Sequence, residues 1–371
     1  MDSAGADAFG GESGVSAGDV SACGGSATDR PAGPGGADAR GDDSEALTRS
    51  LVDGVAEVER RLAATTDDAD PMIAKACAHL LRAGGKRLRP TLVLLAAELG
   101  QGRSDAVLDA ATVVELTHMA SLYHDDVMDA AALRRGAPSA HARYGNAVAI
   151  LTGDLLFARA STIVAGLGPQ CVRIQAEAFA RLCRGQIRET VGPPPGEDPI
   201  AHHLSVLRDK TASLIAAAAH LGALLAGCPA PVIAAAVEFG EKVGVAFQLA
   251  DDLIDLTADP AVSGKTPGTD LREHIATLPA LLLQAEACAD REAGNSSEAV
   301  RLAAILDGDL SDPGALADAV AALAAHPVTA QARATATGWA EAAIADLAPL
   351  PPSPAKHALA AFAREATSRL A

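Results

Sequence analysis

Apolar residues recur along this chain with the spacing of helices. From about residue 46 onward they form long runs of helical period, separated by short turns that are rich in Gly and Pro. No sustained two-residue alternation of the strand type occurs, and Ala and Leu, both strong helix formers, dominate the composition. The pattern predicts an all-α fold with a single helical domain over residues 46–371.

Residues 1–45 follow a different pattern, because they are rich in Gly, Ala, Ser and Asp and contain almost no large aliphatic side chains. They carry nine acidic and two basic residues, and such a composition cannot bury enough apolar surface to fold. We therefore expect a disordered acidic tail over residues 1–45.

The charge and the cysteine pattern narrow the class of protein. The net charge of −17 makes the chain a poor partner for nucleic acid. Its six cysteines lack any CxxC spacing, as is typical of reduced thiols in the cytoplasm. No secretory signal is visible, and the longest apolar stretch, residues 214–240, is interrupted by His220, Pro229, Pro231 and Glu238. We expect a cytoplasmic protein with no transmembrane segment.

Two aspartate clusters of the same form, DDVMD at residues 125–129 and DDLID at residues 251–255, are the main candidate site. On a helix the first and last aspartates of each cluster share a face, and the second is turned roughly 100° away. A solvated acidic face is the ordinary alternative, but apolar sequence precedes both clusters. Mg²⁺, which binds carboxylates together with substrate phosphates, relieves the repulsion within such clusters. The predicted metal ligands are Asp125, Asp126, Asp129, Asp251, Asp252 and Asp255.

Basic residues with phosphate-binding character accompany the clusters. The segment GGKRLRP at residues 84–90 places Lys86, Arg87 and Arg89 behind two glycines at the start of a helix, although a solvent-facing basic loop would have the same composition. Further basic groups are Arg134, Arg135, Lys210 and Lys265.

A formal charge count divides these cations between two anions. Six carboxylates and a diphosphate of about −3, set against about three Mg²⁺, leave roughly −3 uncompensated. Arg134, Lys210 and Lys265 would cancel that charge. Lys86, Arg89 and Arg135 remain for a second anion, so the inventory predicts one diphosphate site with metals and one without.

Taken together and in order, the motifs GGKRLRP, SLYHDDVMD, RRG, KTASL, FQLADDLID and GKTPGTDLRE resemble those of the trans-isoprenyl diphosphate synthases, the polyprenyl synthetase family, over approximately residues 70–285. The resemblance implies antiparallel helices around a deep central cavity and, in most cases, a homodimer. It also implies the Mg²⁺-dependent, head-to-tail condensation of isopentenyl diphosphate with an allylic diphosphate.

The resemblance assigns roles by motif position. Asp125, Asp129, Asp251 and Asp255 would bind metal, with Asp126 and Asp252 as supporting ligands. The allylic diphosphate would be held by Arg134, Lys210, Thr211, Gln248 and Lys265. Isopentenyl diphosphate would be held by Lys86, Arg89, His118 and Arg135, although His118 could instead be an ordinary core histidine. The groups expected to take part in catalysis are Asp125, Asp129, Asp251, Arg134, Lys210 and Lys265.

Two small residues before the first cluster bear on product length. Ala120 and Ser121 stand five and four positions before Asp125, where family members with short products often carry an aromatic side chain. Because each isoprene unit needs about one helical turn, roughly 5 Å, an open position predicts a product longer than about fifteen carbons. We expect a long-chain polyprenyl diphosphate of the kind attached to quinones. Close helix packing is the alternative reason for small residues, and a farnesyl or geranylgeranyl diphosphate synthase is the alternative enzyme.

Three other classes of protein share part of this pattern. A class I terpene cyclase has one DDxxD motif, but it lacks GGKRLRP and a second such cluster. A di-iron bundle would use Glu115 and His118 as a Glu-x-x-His element, but it needs two such elements and only one occurs. A non-catalytic partner subunit of a prenyl synthase usually loses aspartates, whereas all six persist here.

Overall fold

Helices make up most of the described residues in the computed structural model, which covers residues 38–257 and 267–368. The all-α prediction is therefore confirmed. The first helices are α1 (Asp38–Thr66), α2 (Pro71–Cys77), α3 (His79–Arg82), α4 (Leu88–Ala97), α5 (Asp105–Met128), α6 (Ala140–Tyr144), α7 (Asn146–Gly166), α8 (Pro169–Val191) and α9 (Pro199–Leu207). A π-helical turn (Arg208–Ala212) leads into α10 (Ser213–Leu225), α11 (Ala230–Thr257), α12 (Thr269–Arg272), α13 (Leu278–Glu292), α14 (Glu298–Leu306), α15 (Pro313–Ala325), α16 (Pro327–Asp346) and α17 (Pro354–Ser368).

Helix α1 begins earlier than the sequence pattern predicts. It starts at Asp38, so residues 38–45, which were assigned to the disordered tail, are helical. Their acidity is compatible with a helix because negative charge near a helix N-terminus is favourable, and the polar residues 43–45 are exposed. Later turns of α1 bury Val58 and Leu62 completely. Residues 1–37 lie outside the described part of the chain, so disorder there stays a prediction.

Helix α5 is the central helix of the main core and carries the first aspartate cluster at its end. It packs against α1, α4, α7 and α10, and its buried polar side chains are satisfied locally. The hydroxyls of Thr112 and Thr117 donate to the carbonyls of Leu108 and Val113, each at 2.8 Å. A smaller core formed by α12 to α15 flanks α11. The aspartate clusters lie at the C-terminal ends of α5 and α11, where both are partly accessible.

A short hairpin follows α5. Strands β1 (Leu133–Arg134) and β2 (Ala137–Pro138) pair antiparallel, with Arg134 opposite Ala137. The two-residue turn between them has φ of 53° at Arg135 and 77° at Gly136, which is the left-handed pair that a tight hairpin needs. The predicted basic pair thus lies at the tip of a hairpin, with Arg134 in β1 and Arg135 in the turn, and its two side chains contact different parts of the protein.

Helix α7 is the one helix among the described residues that is long and apolar enough to cross a membrane by length and composition. Its apolar window has a mean hydropathy of 1.6, and 33% of that window is buried. One side of α7 packs closely against α5. The sequence reasoning considered residues 214–240 as the longest apolar stretch and did not single out this helix.

Candidate active site

The six aspartates divide as helical geometry predicts. Asp126 is 0% exposed and Asp252 is 9% exposed, while the first and last aspartates of each cluster are at least partly accessible. The second member of each cluster therefore turns into the protein. The accessible carboxylates, Asp125, Asp129, Asp251 and Asp255, are those that a ligand outside the helices can reach.

Both carboxylate oxygens of Asp126 accept hydrogen bonds from groups of the protein. Its Oδ1 accepts from Arg134 Nε at 2.7 Å, and its Oδ2 accepts from the backbone N–H of Ala140 at 3.3 Å. Arg134, predicted to contact substrate, is thus anchored at its Nε and keeps 28% of its side chain exposed. This geometry favours Asp126 as the anchor of Arg134 over its predicted role as a supporting metal ligand.

The accessible carboxylates of the first cluster are unusually basic. Burial raises the pKa of Asp125 to about 6; the cation Lys210 opposes this rise, and the nearby Asp129 adds to it. Burial likewise raises the pKa of Asp129, again against the influence of Lys210 and Arg134. Asp125 and Asp129 thus form an oxygen-rich, anionic position beside Lys210.

Lys210, predicted to bind the allylic diphosphate, faces this cluster. Its ammonium group forms an ion pair with Glu189 at the end of α8. Glu189 also adds to the negative potential at both Asp125 and Asp129. The sequence reasoning missed Glu189, because a single acid on the polar face of α8 has no motif to distinguish it.

The π-helical turn Arg208–Ala212 positions Lys210. Its backbone lies so close to α8 that a Cβ on Gly185 would collide with the backbone nitrogen of Lys210. Asp209 accepts from Arg181 Nε at 3.0 Å, which ties the turn to α8. Single π-turns inside α-helices occur frequently at functional sites, and here the turn carries two predicted substrate residues.

The second of these residues, Thr211, begins a chain of hydrogen bonds toward the second cluster. Its hydroxyl donates to Gln248 Oε1 at 3.1 Å, and Gln248 Nε2 donates to Asp252 Oδ1 at 3.2 Å. The predicted substrate residues Thr211 and Gln248 are therefore brought together next to Asp252. The contact joins the π-helical turn to α11.

The second cluster is joined to the segment that follows residues 258–266. The backbone N–H of Asp270 donates to Asp255 Oδ2 at 3.1 Å, and that of Gly268 donates to the carbonyl of Asp255 at 2.9 Å. Lys265, predicted to contact the allylic diphosphate, lies outside the described residues, and its role stays a prediction.

A second basic group gathers around His118 and contains most of the residues predicted for isopentenyl diphosphate. Burial lowers the pKa of His118 well below its ordinary value, and the charges of Arg89, Arg135, Arg134 and Arg87 lower it further, so this histidine is neutral at pH 7. Burial and the charge of Arg135 also lower the pKa of Arg89, while Glu115 and Asp251 oppose the change. These cations form an anion site without a carboxylate cluster of its own.

The residues of GGKRLRP have different roles in the structure. The Nε atom of Arg89 is buried without a hydrogen-bond partner among the described residues, and Lys86 is exposed. Arg87, in contrast, is buried and forms ion pairs with Glu59 and with Glu115, the latter at 2.9 Å. Arg87 is therefore structural, and its hold on Glu115 removes the Glu-x-x-His element that a di-iron site would need.

An apolar pocket adjoins Arg89. It is lined by Arg89 and by apolar residues of α4, α10, α11 and α17, including Phe247 and Phe362. Its walls thus combine one cation predicted to bind isopentenyl diphosphate with apolar surface. It is not the long product cavity predicted beside α5, which stays a prediction.

The two residues predicted to control product length lie in the wall between α5 and α7. Ala120 is 0% exposed, and a Cβ on Gly153 of α7 would lie 3.1 Å from its carbonyl oxygen. The Ser121 hydroxyl donates to the carbonyl of His118 at 2.9 Å. These contacts support the packing alternative, and control of product length stays a prediction. One aromatic contact on this side, Phe157 against Phe179 with ring centroids 4.0 Å apart, was not anticipated from the sequence.

Within the described part of the chain, no three His, Cys, Asp or Glu side chains converge to form a metal site by themselves. Mg²⁺ is usually bound by one or two carboxylates together with water and substrate phosphates. The accessible carboxylates are divided between α5 and α11, and this arrangement is compatible with Mg²⁺ ions that bind together with a diphosphate.

Comparison with known proteins agrees with this geometry. The family model described as polyprenyl synthetase matches residues 70–321, which is well over half of the chain. The chain belongs to the polyprenyl synthetase family. It is 44% identical to the nonaprenyl diphosphate synthase of Mycobacterium tuberculosis over 317 residues, which cover 85% of this chain and 92% of that protein.

Solved structures give the same result. A decaprenyl diphosphate synthase from Rhodobacter capsulatus matches with a TM-score of 0.76 and 32% identity, covering 88% of this chain and 99% of that one. A geranylgeranyl pyrophosphate synthase from Corynebacterium glutamicum, complexed with calcium and isoprenyl diphosphate, matches with a TM-score of 0.75 and 40% identity, covering 87% and 97%. The family member described here is accordingly a trans-prenyltransferase.

Proposed function

We propose that this enzyme condenses isopentenyl diphosphate with an allylic diphosphate, head to tail, to make a long-chain trans-polyprenyl diphosphate. Support for a long product comes from the relatives, which include the nonaprenyl and decaprenyl diphosphate synthases. The observation that carries the reaction is the pairing of two aspartate clusters with a separate basic site around Arg89 and His118.

We infer that Mg²⁺, about three ions per site, binds the accessible carboxylates Asp125, Asp129, Asp251 and Asp255 together with the allylic diphosphate. Oxygen donors of this kind suit Mg²⁺, and a divalent cation beside Asp125 and Asp129 would favour the ionised forms that burial disfavours. When bound, the ions supply electrostatic stabilisation of the departing diphosphate.

The remaining steps are assigned to side chains of this chain. Arg134 and Lys210 neutralise the diphosphate as the allylic C–O bond breaks, and Thr211 and Gln248 orient it; Lys265 is expected to assist. On the other side, Arg89, Arg135 and Lys86 bind the diphosphate of isopentenyl diphosphate. Neutral His118 hydrogen-bonds to the same group without adding charge. The isopentenyl double bond then attacks the allylic cation, and the proton released passes to the departing diphosphate.

We infer that the active form is a homodimer. Leu151 on α7 is 66% exposed and Ile150 is 42% exposed, while Ile187 and Val191 on the neighbouring α8 are 63% and 78% exposed. Large apolar side chains exposed on two helices that contact each other are typical of an interface. If a second copy covers α7, Leu151→Glu will yield monomers by light scattering, whereas an unchanged mass would contradict the assignment.

A short-chain product is the second candidate, and the 40% identity to a geranylgeranyl pyrophosphate synthase favours it. The two candidates share every residue assigned above and differ only in how far the chain grows. Product size, not the presence of condensation, separates them.

Steady-state kinetics tests the two-site assignment. Arg89→Met should raise the KM for isopentenyl diphosphate, and Lys210→Met should raise the KM for the allylic substrate, each by about tenfold or more, since each removes a charged hydrogen bond. Arg333→Met, an exposed change on α16, is the control and should leave both values unaltered. Equal effects of Arg89→Met and Lys210→Met on both substrates would contradict two separate sites.

A further inference from the structure

A buried histidine outside all the motifs faces the second aspartate cluster. His203 lies on α9 and is 9% exposed. Its Nε2 is buried, has no hydrogen-bond partner among the described residues, and lies 3.6 Å from Asp252 Oδ2. That distance is slightly too long for a direct hydrogen bond, and a shift of a few tenths of an ångström would form one.

Asp252 is anchored through its other oxygen. Gln248 Nε2 donates to Oδ1 at 3.2 Å, and Gln248 itself accepts from Thr211. Among the residues that the structure describes, no side chain other than His203 approaches Oδ2 as a donor. A buried carboxylate with one anchored oxygen can rotate about its Cβ–Cγ bond, and a second donor on Oδ2 would stop that rotation.

We propose that His203 is a positioning residue of the diphosphate site. Its Nε2–H donates to Asp252 Oδ2, while Gln248 donates to the other oxygen, and the two donors together fix the orientation of this carboxylate on the proposed metal-binding turn of α11. This inference rests on the proposed function. It requires a proton on Nε2, which the neutral Nε2–H tautomer and the charged ring both provide. Asp251 and Asp255 flank Asp252 on the same turns of helix, so fixing Asp252 fixes the backbone from which they extend.

The neighbouring histidine shows what a purely structural role looks like. His202 Nδ1 pairs with Glu197 Oε2 at 2.7 Å, and its Nε2 contacts the carbonyl of Arg188 at 3.2 Å. Both ring nitrogens of His202 are thus occupied away from the aspartates. His203 differs because its buried Nε2 is directed at Asp252 and remains unsatisfied.

The test measures binding, not turnover. Isothermal titration with inorganic diphosphate, at several Mg²⁺ concentrations, is carried out on the full-length protein. Three variants are compared: His203→Gln, which keeps an N–H donor near the Nε2 position; His203→Leu, which removes it; and His202→Gln, the adjacent control. We expect His203→Leu to weaken Mg²⁺-dependent diphosphate binding about tenfold, as is usual when an outer partner of a metal site is lost. His203→Gln should recover most of the affinity, and His202→Gln should leave it unaltered.

A double-mutant cycle separates positioning from general damage. If His203 acts through Asp252, His203→Leu will weaken diphosphate binding no further in an Asp252→Asn background. Additive losses in that cycle, or wild-type binding by His203→Leu, would overturn the inference. If His203→Leu does not fold, His203→Asn takes its place in the comparison, because the shorter amide of Asn cannot reach Asp252. The His203→Asn protein should then bind diphosphate less tightly than the His203→Gln protein. Absence of Mg²⁺-dependent diphosphate binding in the wild-type protein would instead refute the proposed function.

Discussion

Replacing Asp125 by Asn should stabilise the metal-free protein while it abolishes turnover. Burial raises the pKa of Asp125 from its ordinary 3.8 to about 6, so the folded state resists ionising a group that the unfolded chain ionises readily. Since each pKa unit is worth about 1.4 kcal/mol, ionised Asp125 costs the folded protein at most about 3 kcal/mol above pH 6. Asn keeps the shape of the side chain and removes that cost.

The sign of the effect depends on pH. Below about pH 3 the carboxyl is protonated in both the folded and the unfolded state, and the difference between wild type and Asp125→Asn should vanish; at pH 4 it should still be small. As pH rises from about 4 to 6, wild-type stability should fall relative to the variant by up to about 3 kcal/mol, and the difference should stay constant at higher pH. Urea unfolding in EDTA at pH 4 and pH 7.5 measures both values. Asp318→Asn, an exposed change on α15, is the control.

Two results would refute this reasoning. A variant no more stable than wild type at pH 7.5 would mean that the folded protein does not penalise ionised Asp125. A stabilisation that is equal at both pH values would assign the effect to packing. Activity with saturating Mg²⁺ should fall by at least about 10²-fold in either case, the scale of losing one preorganised electrostatic group.

Three further predictions follow from contacts in and around the site. Arg87→Met should lower the free energy of unfolding by about 3–5 kcal/mol in urea titrations, because Glu115 would stay buried without its partner; a loss below about 1 kcal/mol would contradict this. Gly185→Ala should raise the KM for the allylic substrate, because its Cβ displaces the turn that carries Lys210, whereas Gly338→Ala, where an added Cβ would meet no side chain or neighbouring element within 4 Å, should not. The Mg²⁺ concentration for half-maximal activity should rise as pH falls from 7 to 5.5, since protons compete at Asp125, and a flat profile would exclude that competition.

Helical periodicity predicted the geometry of the aspartates well because it depends on local structure alone. A residue one position after the first aspartate must turn about 100° away, and Asp126 and Asp252 are indeed the two buried members. The same rule could not identify their partners. Arg134 reaches Asp126 because a tight hairpin folds back on α5, and tertiary contacts of this kind leave no periodic signal in the sequence.

The features that the sequence did not predict share a physical cause, which is that they depend on the surroundings of a residue and not on a motif. Arg87 sits among basic residues in GGKRLRP, and only the fold shows that Glu59 and Glu115 enclose it. Glu189 and His203 belong to helices without any motif, and they become relevant because α8 and α9 pass beside the clusters. The early start of α1 at Asp38 was missed because a polar composition is compatible with both disorder and an exposed helix end.

The central claim, long-chain prenyl transfer at this site, is tested most directly by the size of the product. Purified protein is incubated with Mg²⁺, radiolabelled isopentenyl diphosphate and farnesyl or geranylgeranyl diphosphate, and the dephosphorylated alcohols are sized by reversed-phase chromatography. We predict chains of about seven isoprene units or more, the range of the heptaprenyl, nonaprenyl and decaprenyl synthases it resembles, lost in Asp125→Ala and shortened in Ala120→Phe. Products that stop at farnesyl or geranylgeranyl length would contradict the long-chain claim, and no condensation with either primer would contradict the assignment of the site.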